Sequence, residues 1–565
     1  MLKSLGLAVG VGLLCFAFAG AMFARHLHFS PHYHPDEWSK AEQVATGDYN
    51  FYHPQLLLRS TQAVLLLRGA SANGQVKAEE PQEPHWSRIV YAGRLASSGM
   101  MALGVGVLSG LACWQVLAGR SRARAVEVAI EPMPRGARAA GAIGAGLMVG
   151  SLLATTPLVV QQARYMKEDS ALVLTLAIWL ATMAIAVRRA KVGPVGWKLA
   201  AAVGVAAGLT LCGKWLGGVM AGASLVWIMW QPRRWSMLAS FLAGAVAIWL
   251  LVNLPVVWNL GRFTSGIAYE AGHVTSSHHG IVSTGQTWFF AREIWTQLNA
   301  IVLFSTIEIG AAMAWWIATR RTTVDRRLEA SRPRSVGDVA LCLLLIGVFF
   351  TLISQSSVAA PRYVLPIVVP LVYLAAVGVA RFAMFIASPR SREGELKFPG
   401  RSPAVRVAIV AGIVLFVIAG EAGMNFKDKV RSLDAAMAHD SRDALRRWLA
   451  DNLPSDSHVL ADQSAGLLAW EVPGELTNVQ TAASVDPASM GATHVVITSI
   501  TWNDYFSDHR KPTAAFAKEF EVRRARYTSW RNAPAVFELA PDTTIARFND
   551  PTIRVIALPV ETAAP

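Results

Sequence analysis

The chain has 565 residues, of which 53% are hydrophobic and 16% charged, with a formal net charge of +14. Soluble domains average ~25% charged residues, which excludes a purely soluble protein. Nucleic-acid binding is excluded as well, because the basic residues gather in short loops between apolar blocks instead of forming one patch.

Eleven apolar blocks are read at about 3–24, 93–118, 139–160, 170–187, 198–213, 215–230, 236–257, 300–318, 338–355, 361–380 and 405–421. Most approach the ~20 residues that cross ~30 Å of hydrocarbon as a helix; the fifth and sixth are short. Lys3 ahead of the first apolar core imitates a signal peptide, but the block is long for one and is expected to stay as a helix. The four cysteines (Cys15, Cys113, Cys212 and Cys342) lie inside apolar blocks and read as small core residues.

The loops around Arg120–Arg138, Arg188–Lys198, Arg233–Arg234, Arg320–Arg334 and Arg381–Arg406 are rich in Lys and Arg. Such loops stay cytoplasmic. With eleven helices and a cytoplasmic N-terminus, all of them fall inside, while 25–92, 161–169, 258–299 and the segment after 421 fall outside.

The first outer segment, 25–92, is too long for a plain connection, since loops beyond ~12–15 residues are usually functional. It opens with His34-Pro35-Asp36-Glu37. Ionisable groups at the membrane edge are costly, which makes them functional candidates. Trp38, Ala41, Val44 and Ala45 follow helical spacing, and Gln55–Leu67 is apolar enough to lie along the membrane surface. The second segment carries Gln162-Ala163-Arg164-Tyr165-Met166-Lys167-Glu168-Asp169. The third holds Tyr269, Glu270, His273, His278 and His279, whose spacing forms no helix or strand face. Glycines and paired serines there suggest a mobile lid over a site, with a metal site as the weaker reading. Two domains are therefore expected: a membrane domain over 1–424 and a soluble α/β domain over 425–565. In the latter, 440–449 reads as a capped amphipathic helix, 458–460 and 494–498 as buried strands, 511–520 as a helix and 535–539 as a strand.

Pro35-Asp36-Glu37, Gly47-Asp48-Tyr49 and Tyr52-His53-Pro54-Gln55-Leu56 together resemble the first outer loop of the family 39 glycosyltransferases, the protein mannosyltransferases and their bacterial relatives, including aminoarabinose transferases. Gln55 stands where that pattern has a second proline. The Arg164–Asp169 segment, Gly208-Leu209 to Lys214, and Pro361-Arg362-Tyr363-Val364-Leu365-Pro366 are similar to further family segments in the same order. The resemblance spans about residues 1–380 and implies a polytopic α-helical GT-C fold. It also implies a polyprenyl-phosphate sugar donor, and an acceptor protein, glycolipid or polysaccharide on the outer face. Transfer would usually proceed with inversion.

On that reading Asp36 is the base, with Glu37 as alternative, since neighbours on a helix point about 100° apart and cannot share one pocket. Asp169 is the second site carboxylate, with Glu168 as alternative. Arg362, Arg164, Lys167 and Lys214 are candidates for the donor phosphate, Arg362 foremost because a guanidinium binds phosphate bidentately. His53 stands where some relatives carry a phosphate-contacting lysine. A divalent cation (Mg2+, Mn2+ or Zn2+) held by Asp36 and Asp169 is left open. A transporter or flippase of lipid-linked saccharides is the competing reading. A transporter would normally show repeated halves and mid-helix carboxylates, and the sequence shows neither. The composition suggests a bacterial inner membrane.

Overall fold

The computed structural model describes residues 2–30, 33–74, 82–118, 135–275, 280–298, 335–387, 402–541 and 550–559, with residues 301, 305 and 310 besides. Among them, seven helices are long and apolar enough to cross a membrane: Ser4–Phe23, His85–Ala118, Arg135–Thr155, Glu168–Ala190, Arg234–Val252, Pro361–Met384 and the run beginning at Ala404. Shorter apolar helices at Trp197–Gly213, Trp215–Met229 and Val339–Ser354 fall on three further blocks. The block at 300–318 lies largely outside the described residues. The chain is an integral membrane protein built mainly of helices.

In chain order the helices are α1 (Leu2–Phe23), α2 (Pro35–Thr46), α3 (Leu56–Leu67), α4 (Gln82–Ala118), α5 (Arg135–Thr155), α6 (Pro157–Arg164), α7 (Glu168–Ala190) and α8 (Trp197–Gly213). They continue with α9 (Val219–Met229), α10 (Arg234–Val252), α11 (Leu260–Thr275), α12 (Gln286–Leu298), α13 (Ser335–Ser354) and α14 (Leu365–Ile386). α15 (Pro403–Val417) runs through two π-type turns, Ile418–Ala422 and Asn425–Val430, into α16 (Arg431–Ala438). The last apolar segment therefore does not stop at 421; helical structure passes through 425 and ends at Ala438.

Three expected boundaries are corrected. The block at 139–160 is two helices, because Pro157 opens α6 and holds Thr156 extended at φ −69°, ψ 119°. The first outer segment ends near 81, because α4 has 37 residues and spans about 55 Å at 1.5 Å per residue, well beyond the hydrocarbon. Its N-terminal overhang is the post on which α2 and α3 rest. The segment 258–299 is no simple loop: α11 and α12 flank a short strand, β1 (Ile281–Ser283).

The C-terminal unit adds α17 (Ser441–Asn452), α18 (Ser499–Phe506) and α19 (Ala517–Asn532) around a sheet. Its strands are β2 (Ser457–Asp462), β3 (Gly474–Val479), β4 (His494–Thr498), β6 (Phe537–Leu539) and β7 (Ile553–Ala557), ordered β3-β2-β4-β7-β6. β2 runs parallel to β3 and β4, whereas β7 is antiparallel to β4 and β6. Alternation along β4 sends Val495 and Ile497 to a core with Trp502 and Tyr527, and Val496 to one with Leu445 and Leu449. The expected helix at 511–520 begins only at Ala517. Arg510–Pro512 instead form β5, which pairs antiparallel with β1, Val282 opposite Lys511. Ile281 buries its side chain in the C-terminal core, so the third outer segment is laced to this unit.

The membrane helices pack through small residues that let backbones approach. A Cβ on Gly204 of α8 would lie 2.1 Å from the Phe241 carbonyl oxygen of α10, whereas one on Gly222 of α9 meets nothing within 4 Å. Gly204→Ala is expected to destabilise the protein by about 1–3 kcal/mol through overpacking. The measurement is the thermal-unfolding midpoint in detergent, with Gly222→Ala expected to leave that midpoint in place.

Candidate active site

His34-Pro35-Asp36-Glu37 is a helix start. The His34 side chain caps α2 by accepting the Asp36 N–H at Nδ1 (3.3 Å), and Pro35 occupies the first turn, where a missing N–H costs nothing. Carboxylates in this first turn face the positive end of the helix dipole. Burial, then the charges of Lys167 and Lys40, holds the His34 imidazole well below its ordinary pKa, consistent with Nδ1 acting as an acceptor.

The two acidic neighbours part company at once. Glu37 is fully buried; its Oε1 accepts from Arg94 Nε (3.0 Å) and from the Met166 N–H (2.7 Å), and its Oε2 accepts from Arg94 Nη2 (2.6 Å). Arg94 also donates to the carbonyls of Leu27 (2.8 Å), Phe29 (2.5 Å) and Ser30 (3.1 Å). Asp36 turns the other way, into an ion pair with Lys167. Glu168 and Asp169 open α7 in the same fashion, in the first turn after Lys167.

Of these groups, His34, Asp36, Lys167, Glu168 and Asp169 line a cavity of about 720 Å3. Its floor carries Lys40, Lys167, Lys214 and Arg362 against Asp36, Glu168 and Asp169. Lys40 lies 3.3 Å from Glu168, and His53 lies 4.0 Å from Glu168. Lys214 lies 2.9 Å from Asp169, and Arg362 lies 4.0 Å from it. Tyr363 lies under both cations, 5.5 Å from Lys214 Nζ and 5.4 Å from the Arg362 guanidinium carbon. Burial lowers the His53 imidazole pKa. Burial, reinforced by the Arg362 charge, brings Lys167 down to about 7.

Access separates the carboxylates. The Asp36 side chain is 42% exposed, whereas those of Glu168 and Asp169 are 5% and 4%. All three line the cavity, and of them Asp36 is the one with a largely exposed side chain.

Of the residues expected at the site, Asp36, His53, Lys167, Glu168, Asp169, Lys214, Tyr269, Glu270 and Arg362 meet at this cavity. Tyr269 stacks on Tyr52 (ring centroids 4.3 Å). Glu37 is not among the lining residues, because its buried pair with Arg94 consumes it. Arg164 is also displaced: fully buried, it pairs with Asp434 (2.6 Å) and donates to the Met22 carbonyl (3.0 Å), so it braces α6 against α16 and α1. His273 belongs to α11, and its side chain, like His278 and His279, lies outside the described residues.

Asp36 and Asp169 are the residues that would hold a divalent cation. Asp36 and Asp169 each already face a lysine, and no group of three His, Cys, Asp or Glu side chains is assembled among the described residues. The cationic side chains on the cavity floor are Lys40, Lys167, Lys214 and Arg362.

Sequence reading missed Lys40, whose position two residues past Trp38 looks like ordinary helix surface, and the contribution of the C-terminal unit. Gln463, Ser464, Asn478, Gln480, Thr501, Asp504 and Arg510 all line the cavity. No local motif marks them, since they are scattered polar residues on β3, β5, α18 and the turns after β2 and β3.

No family model and no curated protein matches the sequence. Among solved structures, the chain is similar to ArnT from Cupriavidus metallidurans bound to undecaprenyl phosphate, at 16% identity over 99% of this chain and 98% of that one, with a TM-score of 0.46. It is similar to the Archaeoglobus fulgidus oligosaccharyltransferase AglB in complex with an inhibitory peptide and a dolichol-phosphate, at 12% identity over 86% and 69%, TM-score 0.45. The Saccharomyces cerevisiae protein O-mannosyltransferase Pmt1-Pmt2 complex bound to the sugar donor matches at 18% identity over 53% and 37%, TM-score 0.26.

The environment of Lys167 makes a direct prediction. Only the neutral amine is nucleophilic, so acetylation of Lys167 by acetic anhydride, followed by mass spectrometry, should rise with a midpoint near pH 7. An ordinary lysine titrates near 10.5. A midpoint above 10 would contradict the burial that the structure assigns to it.

Proposed function

We propose that the chain is a membrane glycosyltransferase of the GT-C type. It moves a sugar from a polyprenyl-phosphate donor to an acceptor on the outer face of a bacterial inner membrane, with inversion and with Asp36 as the base. The observation that carries this reading is one accessible carboxylate, Asp36, sharing a cavity with buried Lys40 and Lys167 and half-buried Lys214 and Arg362. The N-terminus is read as cytoplasmic and the C-terminal unit as extracytoplasmic, from the loop charge.

The reaction asks two things of the site. The acceptor hydroxyl must lose its proton as its oxygen attacks the anomeric carbon, and a carboxylate within ~2.6–3.2 Å can take that proton. Asp36, with 42% of its side chain exposed, is the floor carboxylate that can be approached. As the new C–O bond forms, the bond from the anomeric carbon to the donor phosphate oxygen breaks. Its electron pair stays on that oxygen, and polyprenyl phosphate leaves. Fixed cations aimed at that developing charge in a water-poor site are the strongest device available.

Asp169 holds Lys214 at 2.9 Å and stands 4.0 Å from Arg362. The latter is longer than a hydrogen bond, so Arg362 keeps donors to offer a phosphate. Glu168 does for Lys40 what Asp169 does for Lys214. On this reading the buried carboxylates orient cations and Asp36 alone exchanges a proton. A lipid donor also requires the site to open at the bilayer edge, where α2, α7 and the segment before α14 begin.

Asp36→Asn is expected to lower kcat about 10²–10⁴-fold, the usual contribution of a general base, with donor KM little changed. Release of polyprenyl phosphate from radiolabelled donor in reconstituted membranes is the readout; near-wild-type transfer would falsify the role of Asp36. Arg362→Ala is expected to act on the donor instead. It should raise donor KM on the order of 10-fold or more, the scale of losing a charge-assisted hydrogen bond worth ~1.5–3 kcal/mol. An unchanged donor KM in that variant would remove Arg362 from the phosphate site.

A further inference from the structure

Helix α12 (Gln286–Leu298) presents two unlike faces. Phe290, Ile294 and Leu298 recur every fourth residue and join the membrane core. Trp288, Arg292 and Trp295 lie on the other side, within about 60° of arc at 3.6 residues per turn. The two indoles are 74% and 56% exposed, and the guanidinium between them is exposed as well. Rings of this size gain by burial while their N–H groups need acceptors, a combination met where hydrocarbon gives way to headgroups.

Contacts at both ends fix the depth of this helix. Near its start, the Phe290 ring lies 6.4 Å from that of Tyr363, where the crossing segment Pro361–Met384 begins. Near its end, the Leu158 N–H donates to Gln297 Oε1 (3.1 Å), and Lys429 Nζ donates to the Thr296 carbonyl (3.0 Å). Leu158 follows the break between α5 and α6. Lys429 lies beyond about residue 425, where ~20 residues counted from Arg406 have crossed ~30 Å of hydrocarbon. Both ends therefore sit where crossing helices emerge, and α12 runs along the bilayer edge. The same level is basic: exposed Lys427 and Arg431 flank Lys429, with Asp428 the one acidic residue of the stretch 427–431. Further into the membrane the exposed residues of this helix are apolar, Leu415, Phe416 and Met424.

We propose that the Trp288–Arg292–Trp295 face of α12 and the basic turn Lys427–Arg431 form one docking surface for anionic phospholipid headgroups. The inference goes beyond the transfer reading and does not depend on it. A guanidinium can give two parallel hydrogen bonds to one phosphate. Arg292 lies one helical turn from Thr296, whose carbonyl holds the Lys429 ammonium. Residues four apart on a helix are neighbours, so a phosphodiester on Arg292 also feels Lys429. Cations at a membrane surface favour anionic over zwitterionic lipid, because a zwitterionic headgroup brings its own positive charge. An apolar protein partner would cover the indoles and leave four cations without counter-charge. The surface also reaches the cavity through the chain itself. α12 follows β1, whose Ser283 N–H donates to the Ser357 carbonyl (2.8 Å) and whose Ile281 lines the cavity. Headgroups that hold α12 therefore steady the cavity rim.

The test reads lipid occupancy at the face itself. The native cysteines are buried, so Thr296→Cys, at an exposed position, takes a dansyl label selectively. The labelled full chain in phosphatidylcholine nanodiscs is titrated with phosphatidylglycerol or phosphatidylcholine brominated near the glycerol. Brominated phosphatidylglycerol is expected to quench at a mole fraction ten-fold lower or less, the scale of two engaged cations at about five-fold each. Arg292→Gln, Lys427→Gln and Arg431→Gln together should cut that preference at least five-fold. All three side chains are exposed, and an unshifted thermal-unfolding midpoint shows that the variant stays folded. Raising NaCl to ~0.5 M, which shortens the Debye length to roughly 4 Å, should cut the preference with no substitution at all. Equal quenching by both lipids in the otherwise native chain would reduce the face to an aromatic belt. Quenching by neither would mean that water, a second copy or another protein covers it. A preference untouched by the substitutions and by salt would place the attraction elsewhere. Each of these three results overturns the proposal.

Discussion

A carboxylate taken out of water must be given a cation and hydrogen-bond donors, and the buried pair of Glu37 with Arg94 meets that requirement in a way that organises everything around it. Breaking such a pair by removing one partner costs about 3–5 kcal/mol, so the two helices it joins cannot drift apart cheaply. Glu37 also accepts the Met166 N–H, which pins the turn between α6 and α7 to the start of α2. Two segments 129 residues apart in the chain are thereby brought side by side. Asp36, next in sequence and pointing elsewhere, then meets Lys167.

The same constraint explains why the cavity floor is a mosaic of alternating charges. Lys40 faces Glu168, Lys167 faces Asp36, and Lys214 faces Asp169. Each pair lowers the cost of holding its partner near hydrocarbon, and the geometry of each fixes where its cation points. Exposure then separates the three carboxylates: the Asp36 side chain is 42% exposed, while Glu168 and Asp169 are buried against the cations they face. The C-terminal unit is part of this arrangement. Its Arg442 bonds to the carbonyls of both Tyr33 and Ser464, and its β5 pairs with β1 of the third segment in a separate two-stranded sheet. That lacing is why the segment read as a mobile lid is built of two helices and a paired strand across the described residues.

Much of the fold was legible in the amino-acid order because a bilayer imposes a one-dimensional rule. About 20 apolar residues with basic loops between them announce a crossing helix, and ten of the eleven blocks coincide with described apolar helices. Where the reading went astray, a local feature outweighed composition. Pro157 cuts one block into two helices, α4 overhangs the membrane, and Pro512 with its partner strand removes the first turns of an expected helix. The site was legible to the extent that its residues sit in short clusters, as Asp36, Glu168 and Asp169 do. Arg164 was misplaced because a cation beside an acidic cluster reads the same whether it faces inward or outward.

Composition and periodicity determined that this is a many-helix membrane protein with a globular C-terminal unit and acidic pairs at the ends of helices, because hydrophobic length, loop charge and helix-start chemistry are all local properties. The tertiary structure decided which member of each acidic pair is exposed, which cation each one holds, and that strand and helix ends near residues 464, 480 and 501 close the cavity. Those outcomes depend on contacts between segments distant in the chain, 131 residues for Lys167 with Asp36 and 45 for Lys214 with Asp169. A side chain's direction about a helix axis, and the partner waiting there, are set only once the helices have packed.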